Sequence, residues 1–225
     1  MKVFLLNHTP QPEQTVAAAA RLCYTDAGAE ELREKMTPSK VESLLKKLLD
    51  MGHDSPLEHA VFTMAVEGVS RSLSHQMVRH RIASYSQKSQ RYVDERHFTY
   101  IVPPSIEKES RAYTIFEEKM EDIRKAYAVL SEIVPQEDAR YILPNACETK
   151  YVVTMNARSL RHFFRIRMCR RAQWEIRRLA EMMYQEVNKV APRLWYGAGP
   201  ACEVEGYCPE GSYSCGKITS KVQEE

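Results

Sequence analysis

Seven apolar residues, Tyr113, Phe116, Met120, Ile123, Tyr127, Leu130 and Val134, follow one another at steps of three and four. That is the period of one helix face, so residues 105–134 are predicted to form one long helix whose stripe needs burial in a core or against another subunit. The other apolar patterns are short. Residues 3–6 and 151–154 read as strands, and residues 60–69 alternate, with Phe62, Met64 and Val66 on one face and Val61, Thr63 and Ala65 on the other. Helices are predicted over 13–23, over 156–171 and from 172 to about 190, where Pro192 stops the last. Another starts at a capping Ser39 and carries Val41, Leu44, Leu45, Leu48 and Leu49 as far as Gly52. Strands mixed with helices in no regular alternation predict an α+β single domain, a mostly antiparallel twisted sheet flanked by helices.

Charge limits the partners. Thirty-two Lys and Arg against 30 Asp and Glu leave a net +2, too little for a strong field steering the molecule onto nucleic acid. MKVFLLNHTP lacks the long apolar stretch of a leader, and no segment approaches the roughly 20 apolar residues of a membrane span. A cytoplasmic protein is expected, with neither membrane nor nucleic-acid partner. Six scattered cysteines suit a reducing compartment. Cys202, Cys208 and Cys215 fall in a tail, 201–225, whose role is open. Their spacing holds no CxxC pair, and no metal is assigned to them.

Positive charge is instead local. Residues 79–92, RHRIASYSQKSQRY, hold Arg79, His80, Arg81, Lys88 and Arg91 with no acidic residue. Glycine is scarce, at 8 residues, and none forms a phosphate-cradling loop. A phosphorylated ligand would therefore be held by arginine side chains, whose planar fork matches a phosphate with two parallel charge-assisted bonds. On the helix from Asn156, Arg158, Arg161 and Arg165 share one face, while Arg167 falls in the arc of Leu160, Phe163 and Phe164. A guanidinium on a buried face needs an anionic or strongly polar partner, either an internal salt bridge or a ligand. If residues 71–80 are helical, Gln76, Arg79 and His80 share one arc as well.

RHR, seven residues, then Ser89 and Arg91 resembles the signature of the flavin-dependent thymidylate synthases. His53, Ser55, Glu58 and His59 resemble that family's His-x-Ser/Thr-x-x-Glu-His segment. Arg140 before Tyr141-Ile142-Leu143-Pro144, and Asn156-Ala157-Arg158 followed by Arg167 and Ala172-Gln173-Trp174-Glu175-Ile176-Arg177, are similar to its C-terminal part. The resemblance covers about residues 1–200. It implies reductive methylation of dUMP to dTMP, with 5,10-methylenetetrahydrofolate as one-carbon donor, FAD as hydride carrier and NADPH as reductant, in a homotetramer whose active sites form between subunits. By the same resemblance Gln76, Arg79, Gln87, Ser89, Gln90, Arg91, Arg140 and Arg167 hold dUMP. Ser55, Arg79, His80, Arg81, Gln87, Asn156, Ala157, Arg158 and His162 hold FAD, and His53 lies near the folate or flavin. Arg167 is given the catalytic role, its charge favouring an electron-rich uracil with a more nucleophilic carbon 5.

Two positions depart from that pattern: Ser86-Gln87 stands where the family has Asn-Glu, and His162 where others carry Asn. Ser55 and Glu58, with Pro56 between them, also fit a helix-start capping box. Ser89 has only cationic neighbours to serve as base, so it orients and does not attack. The competing class is a phosphate-directed RNA- or DNA-binding module using the same arginines without chemistry.

Overall fold

The computed structural model describes residues 1–218; the end of the predicted tail, 219–225, lies outside the described residues. The order is β1 (Lys2–His8), α1 (Pro12–Leu22), α2 (Ala29–Lys35), α3 (Pro38–Asp50), a 3-10 turn (Ser55–His59), β2 (Val61–Ser70), α4 (Arg71–Met77) and β3 (Ser84–Gln87). There follow α5 (Pro104–Glu107), α6 (Ser110–Ile133), α7 (Gln136–Ala139), a 3-10 turn (Arg140–Ile142), β4 (Glu148–Asn156), α8 (Ala157–Arg167) and α9 (Trp174–Val190). Short turns at Pro192–Trp195 and Gly211–Tyr213 flank α10 (Ala201–Val204). The fold is α+β, as expected.

Four strands pair in the order β1-β2-β4-β3. Pairing is antiparallel: Ala157 N donates to Ala60 O at 2.8 Å, whereas Arg71 N, at the far end of β2, donates to Cys147 O at 3.0 Å before β4 begins. Contacts gather into two compact units, and β2 and β4 continue from one into the other.

The first unit comprises Met1–Lys2, Val66–Arg79 and Tyr85–Val152. Its core sets Phe98, Met120 and Cys147 against Tyr100, Phe116, Ile123, Leu143 and Ala146. Arg124 lies over the rings of Phe98 and Tyr100, at 5.3 and 5.1 Å, and its Nη2 donates to Phe98 O at 2.7 Å. Gly68 is required here, because its φ is +68° and a Cβ would stand 3.0 Å from Met1 N.

The second unit comprises Val3–Ala65, His80–Ser84 and the chain from Val153. Helix α1 buries Val16, Ala17 and Ala20; α3 buries Val41, Leu45 and Leu48; α8 buries Leu160, Phe163 and Phe164. Phe164 is the hinge of an aromatic cluster, with ring centroids 5.8 Å from Phe163, 5.5 Å from Tyr184 and 5.6 Å from Trp195.

Several expected boundaries move, each for a local reason. The helix expected over 105–134 is two, because the Glu109 carboxylate caps α6 by accepting from Arg111 N and Ala112 N. On α6 only Met120 and Tyr127 are buried, and Tyr113 is exposed. Thr37, not Ser39, precedes α3, with Pro38 in its first turn. Asn156 and Gln173 stand outside α8 and α9 as their caps. Helix α4 stops at Met77, so the common arc expected for Gln76, Arg79 and His80 does not form. The helix α2 and the strand β3 were not anticipated.

Phe164→Ala is expected to cost about 3–5 kcal/mol through the cavity it leaves. Lys46→Ala on the exposed face of α3 should stay within about 0.5 kcal/mol. Chemical denaturation of the two variants checks the contrast.

Candidate active site

In the second unit the C-terminal end of α8 presents Arg167 to His80. Arg167 Nε donates to His80 Nε2 at 3.1 Å, which leaves the imidazole proton on Nδ1. The Phe163 and His80 rings pack edge to face with centroids 5.0 Å apart, and the His162 ring makes a second T-shaped contact with His80 at 6.4 Å. Burial, then the Arg167 charge and then His162, pull the His80 pKa from 6.5 down to about 4. His80 is therefore a neutral acceptor at physiological pH. The polar partner required by the buried-face position of Arg167 includes this imidazole, and the guanidinium itself is half-buried.

Asn156 is fixed by the backbone: its Oδ1 accepts from Ser159 N at 2.9 Å and caps α8. Ala157, next along, is fully buried. Arg158 pairs with Glu58 at 2.5 Å, both side chains about half exposed, and the hydrogen bond to that carboxylate raises the Arg158 pKa. Ser55 opens the 3-10 turn, but Asp54 is the residue before it and no side chain caps it, so the capping box does not form. His53, Ser55, Arg81 and His162 are exposed.

In the first unit Arg91 and Arg140 meet at one residue. Arg91 lies 2.9 Å from Glu137 Oε2, while Arg140 Nε donates to the Glu137 carbonyl at 3.0 Å. Ser89 accepts through its carbonyl from Val93 N at 3.1 Å, closing a turn that also holds Arg91 N on Ser89 Oγ at 3.2 Å. Gln87 Nε2 donates to Thr149 Oγ1 at 3.0 Å. Gln90 turns inward against Cys147 Sγ at 3.7 Å, away from solvent. Gln76 is half-buried on α4, and Arg79 is exposed beyond it.

Sequence reasoning missed Glu137, the common partner of the two arginines, and the Lys88–Glu95 pair that spans the loop of Arg91. Nothing in the sequence places Glu137 beside Arg91, 46 residues away. Among the described residues no group of three or more His, Cys, Asp or Glu is placed to hold a metal ion. Likewise, none of the described helices is long and apolar enough to cross a membrane.

Taken unit by unit, guanidiniums stand exposed or half-buried: Arg91 and Arg140 in the first, and Arg167 beside the neutral imidazole of His80 in the second. Residues 4–193 match the family described as Thymidylate synthase complementing protein, and the chain belongs to that family. It is 53% identical over 234 residues to the flavin-dependent thymidylate synthase of Clostridium tetani, covering 96% of this chain and 94% of the relative. For the enzyme so named in Geobacter sulfurreducens the identity is 54% over 220 residues, with the same coverages, 96% and 94%. In Pyrococcus furiosus it is 43%, covering 100% of this chain and 97% of the relative.

Because the folded His80 titrates near 4 and a solvated histidine near 6.5, the unfolded chain takes up a proton first as the pH falls. Stability is full above about 6.5, declines between 6.5 and 4, and levels off below. Denaturant midpoints measured across that range should fall less steeply for His80→Gln than for the parent protein.

Proposed function

We propose that this chain converts dUMP to dTMP by reductive methylation, with 5,10-methylenetetrahydrofolate giving the one-carbon unit and NADPH the reducing equivalents. The carrying observation is the Arg167–His80 hydrogen bond, which joins two signature segments 87 residues apart. FAD supplies hydride chemistry that no side chain performs. The residues fit it: Arg81, Arg158 and His162 are exposed donors suited to a pyrophosphate, and the apolar setting of His80 suits a flat ring.

Arg91 and Arg140, with Ser89, Gln76 and Arg79, hold the nucleotide's monophosphate. Glu137 lends Arg91 a carboxylate that a phosphate can replace, since exposed ion pairs are worth only about 0–1 kcal/mol. Arg167 orients the uracil and stabilises negative charge on it, raising the nucleophilicity of carbon 5. Gln87 contributes hydrogen bonds, Ser55, Asn156 and Ala157 line the flavin side, and His53 faces the folate or flavin. Gln90, buried against Cys147, acts by shaping the loop and not by touching the nucleotide.

The active enzyme is a homotetramer with active sites between subunits. Exposed Ile115, Val129 and Ile133 on α6 support such an assembly. It works in the cytoplasm, in keeping with six free thiols. Residues 1–200 form the enzymatic domain.

The purified protein should take up FAD and turn yellow, and should release tritium from dUMP labelled at carbon 5 when given NADPH and methylenetetrahydrofolate. A colourless protein without that exchange, whose nucleic-acid affinity falls steeply with salt, would overturn this reading in favour of a nucleic-acid-binding module. Arg167→Ala should lower turnover more than flavin binding, and Arg81→Ala should mainly weaken FAD; equal loss of flavin in both would end that division of roles.

A further inference from the structure

Between β3 and α5 the chain makes a short loop that carries Ser89 and Arg91, and an ion pair closes it. Lys88 Nζ donates to Glu95 Oε2 at 3.0 Å and lies 2.7 Å from Oε1. Glu95 is 2% exposed and the Lys88 side chain 21%. Lys88 N is tied to Lys150 O at 2.9 Å, and Glu95 O accepts from Phe98 N at 3.0 Å, so each end of the loop is anchored by backbone as well.

Such a pair is a poor device for stability alone. Taking two charges out of water costs several kcal/mol per ion, and an apolar pair of similar volume often does as well or better. A buried ion pair is, however, specific about geometry: removal of either member leaves an uncompensated charge that drags its segment toward water. Its setting is apolar, since burial first, and the Glu95 charge next, push the neighbouring Cys147 thiol up to about 11. Inside the closed loop the Ser89 turn sends Gln90 inward and Arg91 outward toward Glu137.

We infer that Lys88 and Glu95 are positioning residues, whose buried ion pair fixes the 88–95 loop and thereby aims Ser89 and Arg91 at the phosphate of the nucleotide. The inference rests on the function proposed above. Neither side chain needs to touch the substrate: the pair acts through Arg91. It bears on nucleotide capture and not on the flavin residues.

The test is a double-mutant cycle on the full-length protein with Lys88→Met, Glu95→Leu and the two combined, alongside Lys88→Arg. The readouts are the KM for dUMP, kcat at saturating dUMP, FAD affinity and thermal unfolding. Each single variant should raise the KM for dUMP about tenfold with kcat and FAD affinity nearly unchanged, and the double variant should fall well short of the product of the two. Lys88→Arg, which keeps the charge, should restore the KM. If the single variants unfold, the double and the arginine variant still decide: a KM near the parent's for Lys88→Arg and one about tenfold higher for the double variant are expected. An unmoved KM in folded single variants, effects that simply multiply, or a fall of kcat and FAD affinity together with the rise in KM would overturn the inference while leaving the proposed function standing. A parent protein with no exchange at carbon 5 would end both.

Discussion

A guanidinium keeps its proton at any physiological pH, so each arginine that leaves bulk water must be given an acceptor. This chain answers that demand in two ways. Arg161 donates to the carbonyls of Leu194 and Tyr196 at 2.8 and 2.7 Å, and Arg193 holds the Glu13 carboxylate at 2.8 Å. Arg124 similarly holds Phe98 O. These partners belong to the backbone or to well-packed helices, and the arginines concerned are structural. Arg91 and Arg158 have partly exposed carboxylates instead, and Arg167 has a neutral ring. On the proposed reading, Arg91 and Arg158 are the ones whose carboxylates a phosphate can displace at little cost, since partly exposed ion pairs are worth only about 0–1 kcal/mol; Arg96 and Arg165, paired in the same way with Asp94 and Glu205, lie outside the positions that resemble the family's site.

The neutrality of His80 follows from the same rule. A second positive charge in this half-buried setting would be poorly solvated and, beside Arg167, repelled, and its pKa falls accordingly to about 4. With Nε2 accepting from the arginine, the ring orients the guanidinium without competing for its charge. Phe163 packs edge to face against the ring, so the apolar core of the second unit reaches the site at that contact.

Periodicity was enough to find β2, α3, α8 and α9, because each buries a repeating apolar face. It failed where local chemistry decides. Glu109 breaks the long helix by capping α6, an event set by two backbone N–H groups and not by the apolar stripe. Strand β3 lies in a stretch that reads as basic and polar, although Tyr85 and Gln87 are half-buried and Ser84 and Ser86 exposed, an alternation of period two too short to stand out. The arginines themselves were legible by type and spacing. Their partners were not: Glu137 and Glu58 are joined to them by tertiary contact, and an acidic residue tens of positions away carries no signal in one sequence.

Gln87 brings these strands of argument together. Its amide donates to Thr149 Oγ1, a bond that a carboxylate in its place, able only to accept, would make only if the threonine hydroxyl turned to donate. An amide neither takes up a proton nor adds negative charge near a bound monophosphate. His80 is no substitute base, for at neutral pH an imidazole with a pKa near 4 draws protons weakly. On the proposed reading, then, this chain does not promote the reaction by general-base catalysis from either position. What remains is electrostatic: a fixed guanidinium at Arg167, held by a ring that stays neutral, stabilises the negative charge that develops on the pyrimidine.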